Sequence, residues 1–495
     1  FDGEPYLAIN PTNNQNLVSA WMGMKFTNGL FRIAIKTRAS FDGGNTWSIV
    51  NTLPHMGTAY GSADPSMAFD ANGFLYIAYI DYKQNPDSGG IYVARSADGG
   101  LNWDTPTKAF DMYDVANKRP IDRPWLAADK SSSANAGRLY ITTKPAPWIA
   151  PPNRPYYKVS SDSGQTWTSI ANLDGTGFLT GNGIAAPMAA PVTTSDGKFC
   201  AVYPSYVASQ NILPCYYFAS SANQGQSFNY SLVYATIPAG ADTNLKNGYQ
   251  LIAHPSDANK LYFVGPVSQS GDADIKAMNS IDGGQTWSSP VRVNDDAVNN
   301  GKQQDMVWAA YNEQGNIATV WRDRRNDTGT GFWNVGYDFY YALSNDNGQT
   351  FSVNQAMSNQ FIPFDSLIAG DGNDFLSAVY SGDTLYTVWG DTRNGKLNIW
   401  FAKTIASTNT TVDVNILNES NDLFEVFPNP AAQELKIIFN QLNIATAIDI
   451  YNLQGQKVIS LGSSSLPVTL DISDLSPGLY FVKSVNCIKR FNKNK

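Results

Sequence analysis

Short segments of alternating apolar and polar residues dominate the chain, and helical periodicity is scarce. FLYIAYI (74–80), RLYITTK (138–144), KLYFVGP (260–266), NIATVWR (316–322) and TLYTVWG (384–390) each predict a buried strand between polar turns. A second apolar element precedes each of them or lies at the matching place in its unit. These elements are EPYLAIN (4–10), DPSMAFD (64–70), RPWLAAD (123–129), APMAAPV (186–192), YQLIAHP (249–255), DMVWAAY (305–311) and DFLSAVY (374–380). Between them recurs the pattern S-x-D-x-G-x-T-W, as SFDGGNTW (40–47), SADGGLNW (96–103), SSDSGQTW (160–167), SANQGQSF (221–228), SIDGGQTW (280–287) and SNDNGQTF (344–351). The fourth copy carries Asn223 in place of Asp. In such a box the acidic side chain bonds amides of its own turn, glycine supplies a positive φ and the aromatic tucks beneath, which predicts a strand–turn–strand corner. Each unit therefore predicts four antiparallel strands. Seven inner elements predict a seven-bladed β-propeller over residues 1–405. No box follows IWFAKTI (399–405), so the outer strand of the seventh blade is expected from the N-terminal segment, a closure that removes an exposed edge.

The texture changes after residue 405. Residues 406–423 lose their aromatics and read as a linker. Residues 424–495 hold FEVFPNPAAQELKIIF, AIDIYNLQGQKVIS and VTLDISDLSPGLYFVKS, alternating strands punctuated by proline and glycine. A second, small Ig-like β-sandwich is expected there, and the fold class is all-β throughout.

Six boxes in register with a second repeated element resemble the BNR/Asp-box repeat proteins, the superfamily that includes the sialidases, over roughly residues 1–404. Pro428-Asn429-Pro430, Tyr451-Asn452-Leu453-Gln454-Gly455, Leu475-Ser476-Pro477-Gly478-Leu479-Tyr480 and a basic tail from Lys489 to Lys495 closely resemble the C-terminal sorting domain of the Bacteroidetes type IX secretion system. That second resemblance implies passage across the outer membrane, with the secretion machinery as a partner of residues 424–495. It also implies cleavage of the signal and attachment to surface lipopolysaccharide or release.

Composition narrows the chemistry. A formal net charge of −8 and the lack of a basic, aromatic-interleaved cluster argue against nucleic acid as a partner. Two histidines, His55 and His254, and three cysteines, Cys200, Cys215 and Cys487, fall at no metal-ligand spacing, so no metal and no cofactor are implied. Cys200 and Cys215 lie on consecutive strands of one predicted hairpin, which leaves open a cross-strand disulfide or two buried thiols. No apolar run reaches 18 residues, so no transmembrane segment is expected. The start at Phe1, without Met or an apolar leader, reads as a mature form, and a monomer is expected.

Strand polarity selects the functional face. With four strands running outward from the axis, the boxes occupy one face, and the starts of first strands and ends of second strands occupy the other. That places Glu4, Asp64, Asp122, Arg123 and Asp305 near the axis, and Lys25, Asp81, Lys144, Arg322, Asp323, Arg325, Asp391 and Arg393 at second-strand ends. Catalytic candidates are Asp64, Arg123, Asp305, Asp323, Arg325, Tyr337, Asp391 and Arg393, carboxylates for general acid/base work and arginines for bidentate recognition of a carboxylate. The competing reading pairs Asp and Arg within WRDRR (321–325) and WGDTR (389–393) as pins between blades, and gives Glu4, Asp64 and Asp122 capping roles. Trp148 and Trp333, in long loops, are candidate sugar-stacking residues, or else plugs of their own loops.

A sialidase uses an arginine triad, a Tyr nucleophile with a Glu partner, and an Asp acid/base. Arg123, Arg325 and Arg393 match a triad by position and Tyr337 faces the funnel by position, but no complete signature is present. Phe31-Arg32-Ile33 resembles the family's Phe-Arg-Ile-Pro segment, yet it lacks the proline and lies on a third strand, so no role is carried to it. The function expected is a secreted or cell-surface, sialidase-like propeller that hydrolyses or binds glycans at its central funnel. The alternatives are a non-catalytic adhesin, or a polysaccharide lyase with His55 as the base.

Overall fold

The computed structural model describes residues 2–27, 29–83, 87–115, 117–118, 120–210, 214–235, 248–269, 272–329, 335–363, 375–406, 424–439, 446–453, 456–464, 467–484 and 487–494. They are all-β apart from one 3-10 turn at Ala208–Gln210, and no helix among them is long and apolar enough to cross a membrane. The chain divides into two compact units, Phe1–Thr408 and Asn409–Lys495.

In the first unit the described strands form seven antiparallel sheets in chain order, six of four strands and a last one of three. Their first strands are Asp2–Asn10, Tyr60–Phe69, Ile121–Ala128, Ala190–Thr193, Gln250–Ala253, Gln304–Tyr311 and Leu376–Ser381, the apolar elements that the sequence marks as inner. Each packs against the first strand of the next sheet, and the seventh packs against the first, so the arrangement is propeller-like. Side-chain hydroxyls stitch this ring together. The Ser377 hydroxyl accepts the Leu7 amide proton at 3.1 Å, the Ser66 hydroxyl accepts that of Leu126 at 3.2 Å, and Thr193 donates to the Ala128 carbonyl at 2.9 Å. These bonds satisfy backbone groups that no ladder reaches.

The boxes sit between the third and fourth strands. In the first, Ser40 Oγ donates to Asp42 Oδ1 and accepts the Gly44 amide, both at 2.8 Å, while Asp42 accepts the Thr46 amide at 2.8 Å and its hydroxyl at 2.6 Å. Asn223 reproduces the turn in the degenerate copy: its Oδ1 accepts the Ser227 amide at 3.0 Å and its Nδ2 donates to the Ser227 hydroxyl at 2.9 Å. Glycine is required where the box meets the preceding sheet. Gly284 has φ +85°, and a Cβ there would lie 2.2 Å from the Phe218 ring. The box tryptophans likewise reach back a sheet: Trp103 Nε1 donates to Thr37 Oγ1 and Trp287 Nε1 to Ser231 Oγ, each at 3.2 Å. The box is therefore a joint between sheets as well as a turn.

One expectation is corrected and one open alternative is decided. The N-terminal segment does not complete the seventh sheet, because Asp2–Asn10 pairs with Asn13–Thr27 as the first strand of sheet one; it meets sheet seven through the Leu7 amide on Ser377 and the Asp2 amide on the Leu397 carbonyl, each at 3.1 Å. Cys200 and Cys215 are buried free thiols. In their hairpin Cys200 faces Ser220 and Cys215 faces Ser205, so the two sit at opposite ends of the pairing, too far apart to bridge.

The second unit has two antiparallel sheets, of three and four strands, among its described residues. Phe424, Leu435, Ile437 and Leu470 of one share a core with Ile448, Ile450, Val482 and Phe491 of the other.

Candidate functional site

Three inner strands begin with the same backbone device. Glu4, Asp64 and Arg123 have φ of 51°, 54° and 52°, and each precedes a proline. The pairing register slips at each of these places, between Gly3 and Tyr6, between Ala63 and Ser66, and opposite Thr142 to Lys144. A bulge re-aims a side chain, and the proline that follows has no N–H to leave unpaired. Positive φ in a residue bearing a side chain is strained, and strain of this kind concentrates at functional sites. Met306 in sheet six has φ 49° at the same kind of slip, without the proline.

The bulged side chains converge on a cavity of about 160 Å³ lined by Glu4, Asp64, Asp122, Arg123, Lys144 and Trp148. Asp64 shares hydrogen bonds with Glu4 and with Asp122, so three carboxyls stand in a row. Lys144 Nζ donates to Asp122 Oδ2 at 2.6 Å and closes the row at one end. Burial, and then the negative charge of Asp122, pushes the Asp64 carboxyl up to about 6. Burial acts upward on Asp122 too, but Lys144 and Arg123 outweigh it and hold that group below the usual carboxylate range. Burial lowers the Lys144 ammonium, which Asp122 partly restores. The Arg123 guanidinium lies over the Phe375 ring at 4.5 Å. Trp148 is 67% exposed.

Two residues on from the bulges come Tyr6, Trp125 and Trp308. Trp125 stacks on Trp308 at 5.5 Å and Tyr6 meets Trp308 edge-on at 5.3 Å. Sheets three and six are not neighbours in sequence, so these rings meet across the axis. Beyond them the axis widens into a second cavity of about 650 Å³, where His254 and Lys130 lie.

The remaining candidates form separate clusters. Asp305 accepts two hydrogen bonds from Arg322, at 2.6 and 2.5 Å, and two from Arg324, at 3.1 and 3.2 Å. Burial works against the Asp305 carboxylate, and the two guanidiniums overcome it. Tyr337 is buried beside them with Arg322 5.0 Å above its ring, and burial pushes its hydroxyl up to about 12. Asp323 accepts Trp321 Nε1, the Arg325 amide and Arg325 Nη2, each at 2.8 Å. Asp391 repeats the device with Trp389 Nε1 at 2.9 Å, the Arg393 amide at 2.9 Å and Arg393 Nη2 at 2.6 Å. Arg325 also binds Asp295 at 2.6 Å, and Arg393 binds Asn359 at 2.7 Å. Trp-x-Asp-x-Arg is thus one local motif used twice.

The structure brings Asp64 and Arg123 together with Trp148, and sets Asp305 and Tyr337 beside Arg322 and Arg324. It does not bring Arg325 or Arg393 into the cavity lining. Trp333 lies outside the described residues. His55 Nδ1 is 2.9 Å from Asp81 Oδ1, with Ser62 Oγ on both, and His55 does not line the cavity. Glu4, Asp122 and Lys144 complete the cavity beside the catalytic candidates; the proline steps at the starts of inner strands are the sequence signal for the places of Glu4 and Asp122, and Lys144 stands at a second-strand end.

Comparison with known proteins matches residues 86–335 to the BNR repeat-like domain and residues 425–493 to the secretion system C-terminal sorting domain. No curated protein matches the chain. Similar solved structures include a Hadza microbial sialidase, at 13% identity over 75% of this chain and 73% of that one, with TM-score 0.45. A Penicillium chrysogenum alpha-L-arabinanase is similar at 12% identity over 82% and 93%, with TM-score 0.44. A Dyadobacter fermentans protein of unknown function is similar at 14% identity over 81% and 94%, with TM-score 0.44. With half of its length matched by that repeat model and its last strands by the sorting-domain model, the chain belongs to the BNR repeat-like family and carries a type IX sorting domain for delivery to the cell surface.

Proposed function

We propose that residues 1–405 form a seven-bladed β-propeller acting as a monomer on glycans, and that the cavity at Glu4, Asp64 and Asp122 is its site. Residues 424–495 are read as a small Ig-like sandwich that carries the chain to the surface. The observation that carries the reading is the carboxyl row: a buried acid pushed up to about 6, held between two other carboxyls, beside an exposed indole. Asp64 is suited to give or take a proton near neutral pH. Adjacent members of the row are hydrogen-bonded, so the separation of roughly 5 to 9.5 Å used by paired carboxyls in glycoside hydrolysis is sought between the outer two, Glu4 and Asp122. Trp148 offers an apolar face to the C–H side of a sugar ring, as carbohydrate sites require. Asp305, Asp323 and Asp391 are assigned to holding their arginines, and Tyr337 to packing.

The test is a hydrolysis and binding screen of the purified chain against glycosides and oligosaccharides, with Asp64→Asn and Trp148→Ala alongside. Asp64→Asn is expected to lower kcat by about 100-fold or more, and Trp148→Ala to raise KM or Kd. Hydrolysis that survives Asp64→Asn unchanged would move the chemistry elsewhere. Binding without hydrolysis that Trp148→Ala abolishes would leave a glycan-binding module at the same place.

A further inference from the structure

We infer that the sugar taken by this cavity is uncharged: the site selects a neutral glycan residue over one bearing a carboxylate or sulfate. This rests on the glycan reading above and specifies its substrate class. Recognition of an acidic sugar needs cationic groups whose charge is not already answered, as in a bidentate arginine–carboxylate pair. The cations here are answered. Lys144 is 2.6 Å from Asp122, and Arg123 lies over Phe375 within the field of Asp64 and Asp122. Among the described residues lining the cavity, three carboxyls face two cations. With all three ionised the lining carries one net negative charge, one proton on the row brings it to zero, and only below about pH 6, where Asp64 is protonated as well, does it turn positive.

The arginines that position alone offers as a substrate clamp are committed as well. Arg325 is bound to Asp323 at 2.8 Å and Asp295 at 2.6 Å, Arg393 to Asp391 at 2.6 Å, and Arg322 and Arg324 to Asp305 at 2.5 and 3.1 Å. An anionic sugar entering the cavity must displace a carboxylate from its partner or stand beside one, and like charges at close range discriminate strongly against the wrong ligand. A neutral ring meets no such barrier. Its hydroxyls find both donors and acceptors in the carboxyl row, and its apolar face finds Trp148.

Matched pairs of probes test this by calorimetry or saturation-transfer NMR on the full chain: lactose against 3′-sialyllactose, galactose oligomers against galacturonate oligomers, and xylo-oligosaccharides against their glucuronate-substituted forms. The neutral member of at least one pair is expected to bind about tenfold tighter or better, with an affinity nearly flat from roughly 50 to 500 mM NaCl. Asp122→Asn frees Lys144 of its counter-charge and is expected to raise affinity for the acidic member of that pair. Preference of the wild-type chain for an acidic member overturns the inference while the glycan reading stands. An Asp122→Asn protein that folds and gains nothing toward the acidic probe overturns the charge argument. Binding of neither member of any pair removes the glycan reading itself, and the inference with it.

Discussion

Asp64 costs the protein stability as the pH rises, and the sign follows from its surroundings. Its folded-state value of about 6 lies above that of an unfolded aspartate, so the folded chain binds more protons than the unfolded chain between about pH 4 and 6. Stability is therefore lost as pH rises through that window, and the loss is complete above it. A rise of that size corresponds to about 3 kcal/mol as an upper bound, since the carboxyls titrate together. Asp64→Asn removes the penalty. The melting temperature of the variant relative to wild type is expected to climb from pH 4 to pH 7, and a difference that stays flat across the window would mean that Asp64 is not the group held protonated. Little of this was legible in the sequence. DPSMAFD shows an Asp-Pro step, but the raised pKa requires burial of the site and the charge of Asp122, which comes from another sheet.

At the scale of the element, the box is the best-specified part of the chain. Its bonds run between residues two and four apart, so S-x-D-x-G-x-T-W encodes the turn without help from elsewhere, and even Asn223 keeps the geometry because its amide offers an acceptor and a donor where Asp offers two acceptors. An Asp-to-Asn change in an intact box should therefore be nearly neutral. Asp282 accepts the Thr286 amide at 3.0 Å and its hydroxyl at 2.5 Å. Asp282→Asn is expected to change stability by a few tenths of a kcal/mol, and Asp282→Ala to cost about 1 to 2 kcal/mol, in denaturant melts. Equal losses for the two would show that charge, rather than the hydrogen-bond pattern, holds the turn. The inward role of the box was less legible: that Trp103 and Trp287 bond to the preceding sheet depends on the spacing between sheets, which no local pattern carries. For the same reason Cys200 and Cys215 read equally well as bridged or free, until the register placed them at opposite ends of their hairpin.

For the whole molecule, the repeat made the order of the sheets readable, but the ends of the chain did not follow from it. A missing box after residue 405 suggested that the N-terminus completes the seventh sheet, whereas Asp2–Asn10 is needed as the first inner strand because Glu4 and Tyr6 stand on it. The two units have separate hydrophobic cores, with Phe424, Ile450 and Val482 in the second and none of the first unit's residues among them. Separate cores fold and melt separately. A chain ending at residue 408 is thus expected to keep the melting transition of the first unit and any glycan binding at Asp64. The full chain should show one further transition from the second unit. The sorting domain, however, is what addresses the protein to the cell surface, so the same truncation in the producing cell is expected to leave a folded, ligand-competent chain inside the outer membrane. Fractionation followed by a melt of the retained material checks both halves. Surface delivery without residues 424–495 would contradict the sorting role, and loss of the first unit's transition on truncation would show that its ring of sheets leans on the second unit for stability.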